Sequence, residues 1–120
     1  MAAIGWLDLG LTDYQAAFAV QAELHRRRLA GRLPDVILFQ ENFPVITIGR
    51  ALLAARGITL HGVALNVDPD LSCLGYIVPC GLKNRGVTSL AAQGAPTPPL
   101  AQVRDDFLRE FARVFAVPLY

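Results

Sequence analysis

The 120-residue sequence contains few of the groups that bind metals or build disulfide frameworks. Its two cysteines, Cys73 and Cys80, are seven positions apart, and its two histidines are His25 and His61. These spacings match neither a disulfide scaffold nor a zinc motif. We therefore expect no metal site.

The sequence also lacks an excess of charge and long apolar runs. Eleven basic and ten acidic residues give a formal net charge of +1, which provides no general attraction to nucleic acid or anionic membranes. No apolar run reaches the roughly 18 residues of a transmembrane helix, and the N-terminus has no basic signal-peptide region. Phosphate-binding and dinucleotide motifs are absent as well. We therefore expect a cytoplasmic protein that uses no cofactor and contacts neither nucleic acid nor membrane.

Two segments have helical periodicity. The first, residues 12–29, begins with the cap candidates Thr12 and Asp13 and ends before Gly31. Its apolar face consists of Tyr14, Ala17, Phe18, Leu24 and Leu29. The second follows a proline-rich loop in which Thr97 is the predicted cap. Its apolar stripe consists of Leu100, Val103, Phe107, Phe111 and Val114. The basic run 25–28 is either a solvated helix end or a contact for an acidic protein.

The strands predicted between these helices are short. Runs rich in β-branched residues at 36–40 and 45–50 predict a hairpin, and residues 58–68 predict a further strand. Gly62 interrupts that strand, which indicates a bulge or a close approach of a ligand to the backbone. Residues 52–57 suit one helical turn. The order helix, hairpin, strand, loop, helix favours an α+β fold in a single domain, residues 1–120.

Cys80 is the strongest candidate for chemistry. A free cysteine is either a small buried residue or a nucleophile. Pro79 and Gly81 favour the second interpretation, because proline fixes the approach to the turn and glycine leaves the thiol unshielded. A thiol of pKa about 8.5 needs a nearby cation or base, and the candidates by position are Lys83, the only lysine, and His61. Each also has a purely structural interpretation: Lys83 is then a solvated loop charge, and His61 a hydrogen-bonded strand residue. Cys73 has no comparable setting and is predicted to pack.

The segments "HGVALNVDPDLS" and "IVPCGLKNRGVTSL" closely resemble the C-terminal signature of octanoyl-[acyl-carrier-protein]:protein N-octanoyltransferases, also called lipoate-protein ligase B. Residues 9–50 resemble the N-terminal part of the same family. The resemblance implies the fold of biotin and lipoate protein ligases, a sheet with flanking helices. It also implies transfer of octanoyl from acyl carrier protein to a lysine of lipoyl-domain proteins.

The resemblance assigns roles to five residues. Cys80 would be the acyl-thioester nucleophile, and four residues would contact the substrate: His61, Gly62, Val63 and Ala64. The role of Gly62 agrees with the separate expectation that a ligand approaches the backbone there.

The sequence departs from the family in its centre. Family members carry Arg-Gly-Gly, His-Gly-Pro-Gly-Gln and Lys-Ile-Ala-x-Ile-Gly segments between the positions that correspond to Arg50 and His61, and this chain has none of them. The family lysine lowers the pKa of the cysteine, and Lys83 is not its positional equivalent. Asn42 and Phe43 also replace the start of the family's His-Pro-Pro-Val turn. We therefore expect a domain shortened internally near residues 57–61, with impaired activity.

Two alternatives remain. The chain is a non-catalytic module that binds acyl carrier protein, lipoyl domains or a second copy of itself, or it is an internally deleted product without a function of its own. The acceptor and the oligomeric state do not follow from the sequence.

Overall fold

The protein is described by a computed structural model that covers residues 2–43, 58–59, 62–72 and 87–120. Four elements lie in these ranges, in the order β1 (Gly5–Thr12), α1 (Tyr14–Leu29), β2 (Val36–Asn42) and α2 (Leu100–Phe115). The contacts divide the chain into two compact units. The first consists of Met1–Gly62 with Arg104–Tyr120, and the second is Val63–Val103.

The first unit contains a parallel pair of strands. β1 pairs with β2 from Gly5 opposite Val36 to Thr12 opposite Asn42. The register shifts between Asp8 and Leu11, where Gly10 has a φ of 63° and donates its N–H to Asp8 Oδ1 over 2.8 Å. A positive φ suits glycine because it has no Cβ. The bulge therefore forms where the sequence supplies both a glycine and a short acceptor side chain.

Helix α1 begins and ends close to the predicted boundaries. Asp13 is the N-cap, and its carboxylate accepts the N–H groups of Gln15 at 2.9 Å and Ala16 at 3.1 Å. Gly31 follows the helix with a φ of 70°, a typical helix stop. The predicted apolar face is confirmed in part only, because Ala17 is buried whereas the Phe18 side chain is 46% exposed.

Aromatic rings connect the sheet to helix α2 within the first unit. Phe39 of β2 lies edge-on to Trp6 of β1, with ring centroids 6.4 Å apart, and edge-on to Phe107 of α2 at 5.6 Å. Phe107, Phe111 and Phe115 form a row along the helix, with centroid distances of 5.9 and 4.5 Å. Residues four apart share a helix face. Phe107 and Phe111 therefore agree with the predicted stripe, whereas Phe115 was not predicted to belong to it. Val114, which we also placed in the stripe, is 64% exposed.

The last residues of the chain return to β1. Leu119 forms a parallel bridge with Ile4, and the Ile4 N–H donates to the Pro118 carbonyl over 3.0 Å. The Trp6 N–H donates to the Tyr120 carbonyl at 3.3 Å. Part of β1 therefore has hydrogen-bond partners along both edges.

Two sequence predictions are wrong, and one strand was not predicted. Residues 62–68, predicted as part of a strand, form no strand. Thr97 is not the cap of α2, because the Pro99 carbonyl accepts the N–H groups of Gln102 and Val103 at the helix start. Strand β1 was not predicted. The second hairpin strand (45–50) and the helical turn (52–57) lie outside the described residues. The two helices and the parallel strands support the α+β class.

Candidate active site

The predicted site residues fall into two groups. Cys80 and His61 lie outside the described residues, as do Cys73 and Lys83. Gly62, Val63 and Ala64 are described, and all three are exposed. Whether the thiol meets the substrate-binding segment therefore stays a prediction.

The backbone at Gly62 is open among the described residues. A Cβ built at Gly62 would meet no atom within 4 Å, and its φ lies outside the left-handed region. Neither a close contact within the described part nor backbone conformation requires glycine here. Within the described part of the chain, the space that a side chain at Gly62 would fill is therefore open, and the role of Gly62 in ligand contact stays a prediction.

Two apolar side chains follow Gly62 and face solvent. Val63 is 87% exposed and Leu65 is 61% exposed. Burial of each CH₂ group of such a side chain against an apolar partner contributes roughly 0.8 kcal/mol of favourable free energy. This short segment can therefore bind an alkyl chain or pack against another protein surface.

The segment forms hydrogen bonds at Asn66 and Val67, in the second unit. The Asn66 carbonyl accepts the N–H of Leu90 at 3.0 Å, and the Val67 carbonyl accepts the N–H of Ala91, also at 3.0 Å. The Asn66 side chain donates from Nδ2 to the Thr88 carbonyl over 3.2 Å. Val67 is only 7% exposed. These bonds hold residues 66–67 against residues 88–91.

Residues 88–95 form the turn to which Asn66 binds. Ser89, buried to 6% exposure, accepts the Ala92 N–H through Oγ at 3.1 Å. Gln93 donates from Nε2 to Thr88 Oγ1 over 2.8 Å. The Gly94 N–H donates to the Ala91 carbonyl at 3.0 Å. Because its polar groups are paired internally, the turn is a defined support for residues 66–67.

Asp70 follows this support. Its Oδ1 accepts the Ser72 N–H at 2.9 Å, and the hydrogen bonds from Ser72 hold the pKa of the Asp70 carboxyl below its ordinary value. Asp70 is therefore ionised at neutral pH and begins an Asx-turn, in which its side chain binds the backbone two residues further on.

The basic run at the end of α1 is largely neutralised by its neighbours. Glu23 accepts hydrogen bonds from Arg26 at 2.7 Å and from Arg27 at 2.6 Å, which lower the pKa of Glu23 to about 2. Arg28 binds Asp35 at 2.7 Å. These ion pairs favour the interpretation of residues 25–28 as a solvated helix end.

Within the described ranges, no group of three or more histidine, cysteine, aspartate or glutamate side chains could hold a metal ion. No helix in the same ranges is long and apolar enough to cross a membrane.

Comparison with known proteins decides the family. The sequence profile of the lipoyl protein ligase A/B catalytic domain matches residues 49–112, more than half of the chain. The chain belongs to this family. The matched range of this lipoyl ligase family includes Cys80 and the segment 61–64, together with the turn that supports Asn66.

Curated relatives within the family carry the name octanoyltransferase. That of Chloroflexus aggregans is 52% identical over 63 residues, which are 52% of this chain and 28% of the relative. Those of Acidiphilium cryptum and Solibacter usitatus are 37% and 36% identical over 93% of this chain, and the matches cover 47% and 54% of their own lengths. The chain therefore spans about half the length of these two octanoyltransferases.

The sequence analysis did not predict the hydrogen bond of the Asn66 side chain to Thr88. A signal was available for Asn66, because an amide side chain within the apolar run 63–67 requires a hydrogen-bond partner. The identity of that partner, a backbone carbonyl 22 positions away, was not readable from spacing.

Proposed function

We propose that the chain is a shortened octanoyltransferase, which moves octanoyl from acyl carrier protein through a Cys80 thioester to a lysine of a lipoyl-domain protein. One observation carries this proposal: the family profile spans residues 49–112, and with them the "VPCG" segment and Gly62–Ala64. The exposed Val63 and the open space at Gly62 support a role of this segment in contacting the acyl chain.

The chemistry has two balanced steps. The Cys80 thiolate attacks the carbonyl carbon of the carrier thioester and forms a new C–S bond, while the C–S bond to the carrier breaks. The released carrier thiolate takes up the proton that Cys80 had lost. The amine of the acceptor lysine then attacks the acyl-enzyme, forms the amide and loses a proton as Cys80 leaves as thiolate. Neither step changes an oxidation state.

Activity is expected to be low because activation of the thiol is incomplete. An unassisted thiol of pKa about 8.5 is only a few per cent ionised at neutral pH. The Lys-Ile-Ala-x-Ile-Gly segment is absent, and the single lysine follows Cys80. Relatives matched over 93% of this chain leave about half of their own length unmatched. A shortening near residues 57–61 is part of the proposal and rests on the absence of the family's central motifs there.

Incubation with octanoyl-acyl carrier protein, followed by intact mass measurement, tests the proposal. We expect slow formation of one octanoyl adduct, whose rate rises with pH because the thiolate is the nucleophile. Cys80→Ser abolishes the adduct, and the matched control Cys73→Ser retains it. Absence of any adduct, or an adduct that survives in Cys80→Ser, contradicts the proposal.

The alternative is a non-catalytic module that binds acyl carrier protein or lipoyl domains. The exposure of Val63 and Leu65 favours it, because these apolar side chains can contact a partner without any chemistry at Cys80. Formation of a stable complex with octanoyl-acyl carrier protein, without an adduct in the mass spectrum, selects this function. A cytoplasmic location and the absence of nucleic-acid partners remain predictions.

A further inference from the structure

We infer that Asn66 is a positioning residue, which fixes Val63 and Ala64 of the predicted acyl-binding segment to the turn at 88–95. This inference rests on the proposed function of that segment. Asn66 does not need to touch the acyl chain. It acts by setting where the exposed residues Val63 and Ala64 lie relative to the chain that follows the predicted nucleophile.

The inference depends first on where the bonds of Asn66 lie. Its side-chain amide and its own carbonyl bind two different groups of the turn, the Thr88 carbonyl at 3.2 Å and the Leu90 N–H at 3.0 Å. Val67 adds a third bond, to Ala91. Asn66 is two positions beyond Ala64, and Thr88 is eight positions beyond Cys80. These bonds therefore join the chain just after the acyl segment to the chain just after the cysteine.

The side-chain bond is the part of this junction that a substitution can remove. The two backbone bonds depend on main-chain atoms, which every residue supplies, whereas only an amide side chain of this length donates to Thr88 here. The loss of one donor would also leave the Thr88 carbonyl without this partner. Residues 63–65 directly precede Asn66, so their orientation is less well defined when its side-chain bond is lost.

The turn itself supplies a matched control. Gln93 also donates a side-chain amide to Thr88, to Oγ1 at 2.8 Å, but this bond lies within the turn and does not involve the acyl segment. If Asn66 only stabilised the turn, the loss of either amide would have the same effect. If Asn66 positions the acyl segment, the loss of Asn66 alone changes how that segment works.

The experiment compares Asn66→Leu and Gln93→Met, which keep the side-chain volumes and remove the donors. We expect octanoylation of the Asn66 variant to slow about fivefold, the rate change that corresponds to the loss of roughly one net hydrogen bond. The octanoylation rate of the Gln93 variant should stay within twofold of the parent. Alkylation by iodoacetamide, which needs no acyl-binding segment, proceeds in both as in the parent. Asn66→Asp, which keeps the shape and removes the donor, repeats the loss.

A second measurement separates this inference from the proposed function. Octanoate is titrated into the labelled protein while the amide resonances of Val63 and Ala64 are followed. We expect these amides to shift in the parent and in Gln93→Met, and to shift at least fivefold more weakly in Asn66→Leu. Such a result without any octanoyl transfer supports positioning and contradicts the transferase. Equal behaviour of the two variants, or no shift in the parent, overturns the inference.

Discussion

Asp8 is a charged residue that joins β1 to α2 in the first unit. Its Oδ2 accepts a hydrogen bond from Arg104 at 2.7 Å, and its Oδ1 accepts the Gly10 N–H. The Arg104 guanidinium carbon lies 5.1 Å from the centre of the Trp6 ring, so the same cation also contacts an aromatic face. The hydrogen bond from Gly10, and then that from Arg104, hold the pKa of Asp8 below its ordinary value of 3.8.

This lowered pKa predicts a pH-dependent contribution to stability. The ionised carboxylate stabilises the fold above the unfolded pKa, and this contribution is lost as the pH falls through the lower folded pKa. Asp8→Asn should lower the free energy of unfolding by at most about 1 kcal/mol at pH 7, because the pair lies near the surface. In urea titrations, the difference from the parent should shrink as the pH falls below 3.8 and through the lower folded pKa, where the carboxyl takes up a proton.

Asp105 provides the control for Asp8. It also binds Arg104 at 2.7 Å, but its side chain is 61% exposed and adjacent in sequence to its partner. Asp105→Asn should therefore change the unfolding free energy less than Asp8→Asn at pH 7. A loss in Asp8→Asn that stays as large in acid, where the carboxyl is protonated, as at pH 7 would count against the ion-pair explanation.

At the residue scale, the sequence was informative where chemistry depends on residue type. The resemblance predicts substrate contacts for Gly62, Val63 and Ala64, and these roles stay predictions. Among the described residues, a Cβ built at Gly62 meets no atom within 4 Å. The pairing of Asn66 with Thr88 was not predictable, because it joins residues 22 positions apart. Contacts of this kind depend on the path of the chain and not on local spacing.

Among the elements, the helices were better predicted than the strands. Helix α1 was readable because Asp13 and Gly31 are strong local boundary signals. Strand β1 was missed because Gly10 and Asp8 interrupt its alternation, and its pairing with β2 is a contact between distant residues. Residues 62–68 have strand-forming side chains, but their backbone bonds go to a turn at 88–91. Tertiary context determined the outcome in both strand cases.

The N-cap of α1 leads to the prediction at this scale. Asp13 satisfies two N–H groups that would otherwise have no partner within the helix. Asp13→Ala should therefore lower the free energy of unfolding by about 1 kcal/mol, measured by urea titration at neutral pH. Asp13→Ser, which keeps an acceptor at the cap, should recover most of this loss. Equal losses in the two variants would show that the cap bonds are not the cause.

For the whole molecule, the described residues contain little apolar core. The buried apolar residues among them are Ala17, Val67, Leu108 and Val117. Large apolar side chains remain exposed in both units, for example Phe115 at 57% in the first and Leu65 at 61% in the second. Within the described ranges, the free energy of unfolding is therefore expected to depend on few buried apolar residues.

Whether residues 1–120 unfold as one domain is testable through one core residue of each unit. Leu108→Ala should destabilise the first unit by about 2 kcal/mol, and Val67→Ala the second by about 1.5 kcal/mol. Because the contacts cluster separately, we expect native-state hydrogen exchange to accelerate in Leu108→Ala for residues 2–43, with residues 88–95 unchanged, and the reverse in Val67→Ala. Acceleration of both ranges by either variant would instead support the single cooperative domain that the sequence predicted, since a cooperative domain unfolds as one.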